Sequence, residues 1–268
     1  MASFSRKQNA QALLDPLRNL WNQIIGQSSL AVIHSSLISF KFPLNGLKKV
    51  MIESLIELTE RGITIVLPTF TFSFCEGRPF HHERSKSETG ILGQWTLESG
   101  EAIRTCHPIY SFAVLGPKSD AIFSCPSTTT FGDDSPFGYF EKMNAVFIMM
   151  GCGWIACTQF HRYEEIARVP YRFFKKFSGN ADYGNGNRRV CAKMYVRDLE
   201  INPKMDFSSV EKVFRKTGVL LSEEFAGGKV ESVKAENLGS ISRNLLNKNP
   251  LIWIKNQEGA RQILTERE

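Results

Sequence analysis

Residues 145–165, AVFIMMGCGWIACTQFHRYEE, bring a hydroxyl, an imidazole and two carboxylates into one short segment. Thr158, His161 and Glu164 recur every third position, so on a helix they fall near one face, with Glu165 beside them. Thr158 reads as the N-cap of that helix and Pro170 as its stop. A neutral imidazole accepts a proton at physiological pH, and a carboxylate one turn away orients it, which is the equipment of a general base. The positive helix end disfavours an imidazolium at His161 while the carboxylate favours it, giving an expected pKa near the ordinary value. A polar residue that merely opens a helix has the same spacing, so position alone does not assign the chemistry.

Other groupings compete for the same residues. Cys157 and His161 stand four apart, the spacing of a thiolate–imidazole pair on one helix, which would make a cysteine-dependent acyltransferase or hydrolase. Cys152, Cys157 and His161 lack a fourth ligand and match no zinc spacing, so no metal is expected. His81–His82–Glu83 reads as surface, and His107, before Pro108, as a structural loop histidine. Gly184 and Gly186 do not lead from a strand into a helix, so the dinucleotide-binding pattern is absent.

The elements that must position these groups alternate between short apolar strands and amphipathic helices. Residues 145–150 form a continuous apolar run, as in a strand buried on both faces, and Gly151 and Gly153 then allow a tight reversal. Residues 28–36 read as a strand ending in small polar residues, 47–60 as a helix and 64–70 as a second strand, which is βαβ grammar. Residues 71–97 read as a long irregular stretch, a size of loop that usually has work to do. Further strands are expected at 111–116 and 191–196, a helical turn at 118–123, a turn-rich excursion at 179–189, and helices near 207–217 and 241–246. With no repeat and no composition break, residues 1–268 read as a single α/β domain with inserted loops.

Composition narrows the class. With 42% hydrophobic and 22% charged residues, a chain of 268 can bury a substantial core. No segment approaches ~20 consecutive apolar residues, so no membrane association is expected. The N-terminus, MASFSRKQNAQALLDPL, lacks the layout of a secretion signal, so the expected location is cytoplasmic. Six scattered cysteines suit reduced thiols. An excess of 33 Lys and Arg over 27 Asp and Glu favours anionic partners, but the basic residues come in separated pairs without a nucleic-acid motif. One such pair among Lys48–Lys49, Lys175–Lys176 and Arg188–Arg189 is suited to the phosphates of a nucleotide ligand.

A series of short polar motifs then appears in a fixed order: HSSL (34–37), LPTFT (67–71), SETGIL (87–92), GEAIRTCHPIYS (100–111), GDDSPF (132–137) and GCG…CTQFHRYEE. VPYR (169–172), DF (206–207) and the segment 210–250 continue it. From about residue 31 onward this order resembles the aminoglycoside 3-N-acetyltransferase family, and six or more weak motifs in order make a strong signal. The resemblance implies a mixed-sheet α/β sandwich with long inserted loops, of the antibiotic N-acetyltransferase type. It also implies transfer of an acetyl group from acetyl-CoA, as cosubstrate, to the amine of a small molecule.

The family's general base lies in an N-T-x-x-H-x-x-E motif, which here runs from Cys157, in the Asn position, through Thr158 and His161 to Glu164. The resemblance further implies an acidic residue downstream that orients the base, with Asp198 the first choice and Glu200 the second. The turn His34, Ser35, Ser36 and Leu37 is expected to contact CoA, and Thr69 and Arg104 to flank it. Arg104 would pair a phosphate or brace a loop through an acidic neighbour. Backbone N–H groups at the helix start, or the Thr158 hydroxyl, would stabilise the oxygen that turns negative as the amine attacks. A cleft for polycationic aminoglycosides should be markedly acidic, and this chain is basic, although Asp133–Asp134, Glu76, Glu83 and Glu88 are expected near the cleft. The favoured acceptor is therefore an amino sugar, nucleotide-linked forms included, of the kind acetylated in surface polysaccharide synthesis. Antibiotic resistance and a non-catalytic CoA- or nucleotide-binding module are the alternatives.

Overall fold

Ten strands and nine helices are found among the described residues, 9–126 and 129–267, of the computed structural model. The first eight residues of the N-terminal stretch read for a secretion signal lie outside them. In chain order the strands are β1 (Leu30–Ser35), β2 (Thr64–Pro68), β3 (Phe80–His81), β4 (Ile103–Arg104) and β5 (Phe112–Leu115). They continue with β6 (Val146–Met150), β7 (Arg172–Asp182), β8 (Asn187–Arg197), β9 (Leu221–Phe225) and β10 (Gly228–Lys234). Seven of them form one mixed sheet in the order β4-β5-β2-β1-β6-β10-β9, and β3-β7-β8 form a second. The centre of the large sheet, β2-β1-β6, is parallel, and antiparallel strands extend it on both sides.

The central strands are apolar throughout because both of their faces are buried. Leu30, Val32, Phe147 and Met149 point into one core, whereas Ala31, Ile33, Ile148 and Met150 point into the other. Helices Leu14–Ile25, Leu47–Glu60 and Ile91–Glu98 cover the second face. Helices Pro136–Lys142, Phe160–Ala167, Ser208–Thr217 and Ala235–Lys248 cover the first. The result is the mixed-sheet α/β sandwich expected from the sequence.

Three departures have physical causes. The stretch expected to be irregular to residue 97 contains the helix Ile91–Glu98, pressed so tightly on β2 that a Cβ on Gly93 would lie 2.5 Å from the Pro68 carbonyl oxygen. The excursion expected at 179–189 is mostly a hairpin, β7 pairing with β8 from Arg172↔Arg197 to Asp182↔Asn187. Much of this ribbon is exposed, so its sequence is polar and reads as loop. The helix expected at 241–246 runs Ala235–Lys248, and the helices Leu14–Ile25 and Gln257–Thr265 lie outside the expected elements.

The reversal after β6 uses one glycine, not two: Gly151 has φ +71°, whereas Gly153 is extended. A Cβ on Gly151 would stand 2.3 Å from the Phe40 ring and 2.6 Å from the Ser36 carbonyl oxygen. Gly151→Ala is therefore expected to destabilise the fold by about 1–3 kcal/mol, from the left-handed backbone and the overpacking together. An unchanged midpoint in thermal unfolding would refute this reading.

Candidate active site

The parallel strands β1 and β6 end side by side, and the turns that follow them build the site. β1 delivers His34, Ser35 and Ser36, with the Ser36 N–H donating to the Met150 carbonyl at 2.8 Å. β6 leads through Gly151 and a 3₁₀ turn, Trp154–Ala156, into the helix Phe160–Ala167. The N-cap of that helix is Gln159, not Thr158 as expected from spacing. The Thr158 hydroxyl is turned instead toward His34, with Oγ1 3.3 Å from Nε2.

His161 is held by its own helix. Its Nδ1 lies 2.7 Å from Glu164 Oε2 and 3.1 Å from Arg172 Nη2; the shorter contact is to the carboxylate, which can only accept and so favours the tautomer with its proton on Nδ1 and Nε2 open to accept another. Glu164 is fully buried and receives two further groups: Arg172 at 2.9 Å and the Tyr171 hydroxyl, which donates to Oε1 at 2.9 Å. Burial alone would raise the Glu164 pKa, but Arg172, His161 and Tyr171 together outweigh it and hold the carboxyl below its usual range. Burial and the nearby Arg172 push His161 below 6.5 against the opposing pull of Glu164, so the imidazole is neutral at physiological pH. The expectation of an ordinary value is corrected downward, because burial and Arg172 are invisible in the helical spacing. The ring keeps 23% of its side chain accessible, so a ligand can reach it.

The carboxylate in contact with His161 is thus Glu164, and the downstream acids meet another partner. Asp198 is engaged by Arg267 at 2.6 Å, and Glu200 bonds to the same guanidinium. Glu165 takes a hydrogen bond from Thr129 at 2.6 Å and faces away from the imidazole. Arg172, though quoted within VPYR, carried no expected role, and its position on the first residue of β7 beside Glu164 emerges only from the fold.

His161 stands on the wall between two cavities. The first, about 400 Å³, is lined by His34, Ser35, Ser36, Gly90, Gly93 and Thr158 with apolar walls from Ile33, Leu67, Phe70 and Ile155. The second, about 670 Å³, lies between the β7–β8 hairpin and Phe72, Tyr110 and Phe207. Phe72, Tyr110, Ile155 and His161 line both.

Of the residues expected around CoA, His34, Ser35 and Ser36 line the first cavity, whereas Leu37 packs against the second core. Thr69 and Arg104 do not line it. Their side chains meet at Ser111, with Thr69 Oγ1 3.1 Å from the Ser111 hydroxyl and Arg104 Nε donating to that hydroxyl at 2.9 Å. Arg104 also donates to the Thr69 carbonyl at 2.8 Å and to the Ser85 carbonyl, so it braces the loop through carbonyl oxygens, not through an acid or a phosphate. His34 accepts from the Thr158 N–H at 3.4 Å, and burial holds its pKa down to about 4, so it is neutral.

The N–H groups of Thr158, Phe160 and His161 are donated to His34, Cys157 and Thr158, and the Thr158 hydroxyl, which lines the first cavity, faces His34 Nε2. Cys157 is buried, its thiol pushed far up by desolvation, and it makes no hydrogen bond to His161, so no thiolate–imidazole pair forms. His107 is structural as expected, its Nδ1 accepting from the Tyr110 N–H at 2.9 Å. Among the described residues no cluster of His, Cys, Asp and Glu is arranged to hold a metal, and no helix is long and apolar enough to cross a membrane.

Comparison with known proteins adds three findings. The profile of the family described as aminoglycoside 3-N-acetyltransferase matches residues 32–247. The aminoglycoside N(3)-acetyltransferase IV of Salmonella is 27% identical over 155 residues, 57% of this chain and 58% of that protein. Thus the chain spans a little over half the length of the curated relative it matches. Among solved structures, the apoenzyme of aminoglycoside acetyltransferase AAC(3)-IVa superposes with a TM-score of 0.75 at 19% identity, covering 98% of both chains. AAC-IIIb, solved as a binary complex with CoASH, gives 0.75 at 16% identity, covering 92% of this chain and 97% of its own. A histidine-to-alanine mutant of AAC(3)-IVa in complex with a gentamicin gives 0.76 at 20% identity, again covering 98% of both.

Proposed function

The chain belongs to the aminoglycoside 3-N-acetyltransferase family, and we propose that it transfers an acetyl group from acetyl-CoA to the primary amine of an amino sugar, with His161 as general base. The observation that carries this reading is the place of His161 on the shared wall of two cavities, its Nδ1 tied to Glu164 at 2.7 Å. One cavity for each substrate allows direct transfer, because an amine and a thioester held side by side need no covalent enzyme intermediate.

In this reading the first cavity takes the thioester end of CoA. Ser35 and Ser36 offer hydroxyls, and the apolar walls suit the pantetheine chain. The solved complex of AAC-IIIb with CoASH supports the choice of cosubstrate. The ammonium of the acceptor loses its proton to His161 Nε2 as nitrogen attacks, and the Thr158 hydroxyl faces the carbonyl oxygen that turns negative. Glu164 and Arg172 act through His161: the carboxylate fixes tautomer and ring orientation, and the guanidinium anchors the carboxylate. The reaction is assigned to the cytoplasm, and the 1–268 span to one transferase domain.

Antibiotic acetylation is the second reading, and the relatives bound to gentamicin and apramycin favour it. It requires carboxylates around the acceptor. Asp133, Asp134, Glu76, Glu83 and Glu88, expected to border the cleft, line neither cavity, and the two carboxylates that line the second, Asp198 and Glu200, are engaged by Arg267. If expression raises tolerance to gentamicin-like drugs in a sensitive host, the amino-sugar assignment is wrong. Thiol release from acetyl-CoA over a panel of amino sugars and amines tests the whole proposal, and CoA binding without turnover on any amine would favour a binding module.

The pH dependence follows from the sign of the His161 shift. The neutral ring is the active form, so kcat at saturating substrates should be level through neutrality and fall only on acidification below 6.5. An acid limb centred above that value would contradict the assignment.

A further inference from the structure

The second cavity carries charge of the wrong sign for a polycation. Its wall is the β7–β8 hairpin, where Phe173, Lys175 and Phe177 alternate onto one face, the first two pairing with Val196 and Met194 on the next strand. Phe72, Tyr110 and Phe207 face them across the cleft. Such walls bind flat or partly apolar bodies, including the faces of sugar and base rings.

The charged groups on this lining separate into committed and free. Arg172 is committed to Glu164 at 2.9 Å. Asp198 and Glu200 share the guanidinium of Arg267, which does not line the cavity. Lys175 and Arg197 remain: neither is in an ion pair among the described residues, and Lys175 instead lies 5.1 Å over the Phe177 ring. Both charges reach into the cleft. Arg197 helps to keep His161 neutral, and Lys175 counteracts the rise that burial imposes on the Cys75 thiol. A drug with several ammonium groups would meet two cations and find both carboxylates already bridged.

We propose that this cavity is the subsite for an acceptor whose amino sugar is joined to a phosphate, with Lys175 and Arg197 meeting the phosphate oxygens while the amine reaches His161. This rests on the acyl-transfer reading and narrows its acceptor class from amino sugars at large to phosphate-bearing ones. Two cations at separate points of the hairpin suit a phosphate ester or diphosphate, which presents several charged oxygens along its length. A sugar phosphate and a nucleoside diphosphate sugar share this chemistry, and the aromatic walls give the second an additional surface for its base.

The test compares one amino sugar in three forms: free, as its 1-phosphate, and linked to a nucleoside diphosphate. Affinity is measured by titration calorimetry on His161→Ala with CoA bound, and kcat/KM on the unmodified enzyme. At least one phosphate-bearing form should be preferred over the free sugar by roughly tenfold or more, and the preference should shrink as salt rises. Lys175→Ala and Arg197→Ala should each reduce that ratio several-fold, and Lys175→Glu should reduce it further. Both residues are exposed, so their substitution leaves the core intact. Equal affinity for the three forms, or a ratio indifferent to these substitutions, overturns the proposal. Because calorimetry needs no turnover, a phosphate preference without acetylation would retain the subsite and count against the transferase reading instead.

Discussion

His161→Ala should lower kcat for acetyl transfer by about 10²–10⁴-fold, the range general-base catalysis commonly contributes, while CoA still binds. The first cavity retains His34, Ser35 and Ser36 in this variant, so cosubstrate affinity measured by calorimetry is expected within a few-fold of the parent. The separation of these two readouts is the point. Loss of both would indicate that the ring is a packing element between the cavities, and unimpaired turnover would eliminate His161 as the base. Residual activity should rise with pH, because the acceptor amine then supplies more of its own free base without help.

Glu164→Ala is expected to cost both activity and fold. Glu164 is completely buried, and its removal leaves the Arg172 guanidinium, also buried, without its carboxylate. Breaking a buried pair in this way typically destabilises by about 3–5 kcal/mol, measurable as a shift in the denaturant midpoint. The same change releases Nδ1 of His161, so the tautomer that exposes Nε2 as acceptor is no longer enforced. The double replacement Glu164→Leu with Arg172→Met removes both charges, and should recover much of the stability while leaving transfer crippled. If the single variant unfolds at the midpoint of the parent, the Glu164–Arg172 pair does not anchor this helix. If the double variant regains full turnover, the carboxylate does not position the base.

The two substitutions test different layers of one device. His161 is the group that would touch the amine, and Glu164 decides which of its nitrogens is available. Arg172 comes from the strand that follows this helix, anchors Glu164, and helps to lower the pKa of His161, thereby widening the pH range over which the ring stays neutral. Without Arg172 the downward shift of His161 would rest chiefly on burial, against a carboxylate that pulls the imidazole pKa up.

Much of this was legible in the chain. The continuous apolar runs of β1, β2 and β6, alternating with helices, fix an α/β sheet buried on both faces, because a strand covered on one side only would show a polar alternation. The sequence also names His161 and Glu164 as neighbours, because residues three apart on a helix must meet, and its ordered motifs identify the family. It could not show which partner Asp198 meets. Asp198 lies just past the end of β8 and is engaged by Arg267, 69 residues further on, while Arg172 at the start of β7 reaches Glu164 on the preceding helix, contacts that no local spacing shows. Thr69 and Arg104 escape a sequence reading for a similar reason: nothing local says that Arg104 turns inward to carbonyl oxygens. Nor does the basic pair Lys175–Lys176 reveal that Lys175, with Arg197 at the end of β8, lines the second cavity. Local spacing and ordered motifs thus determined the family and the His161–Glu164 contact, whereas only three-dimensional packing decided the burial that keeps His161 neutral, the Arg172 that anchors Glu164 and the charges that line the second cavity.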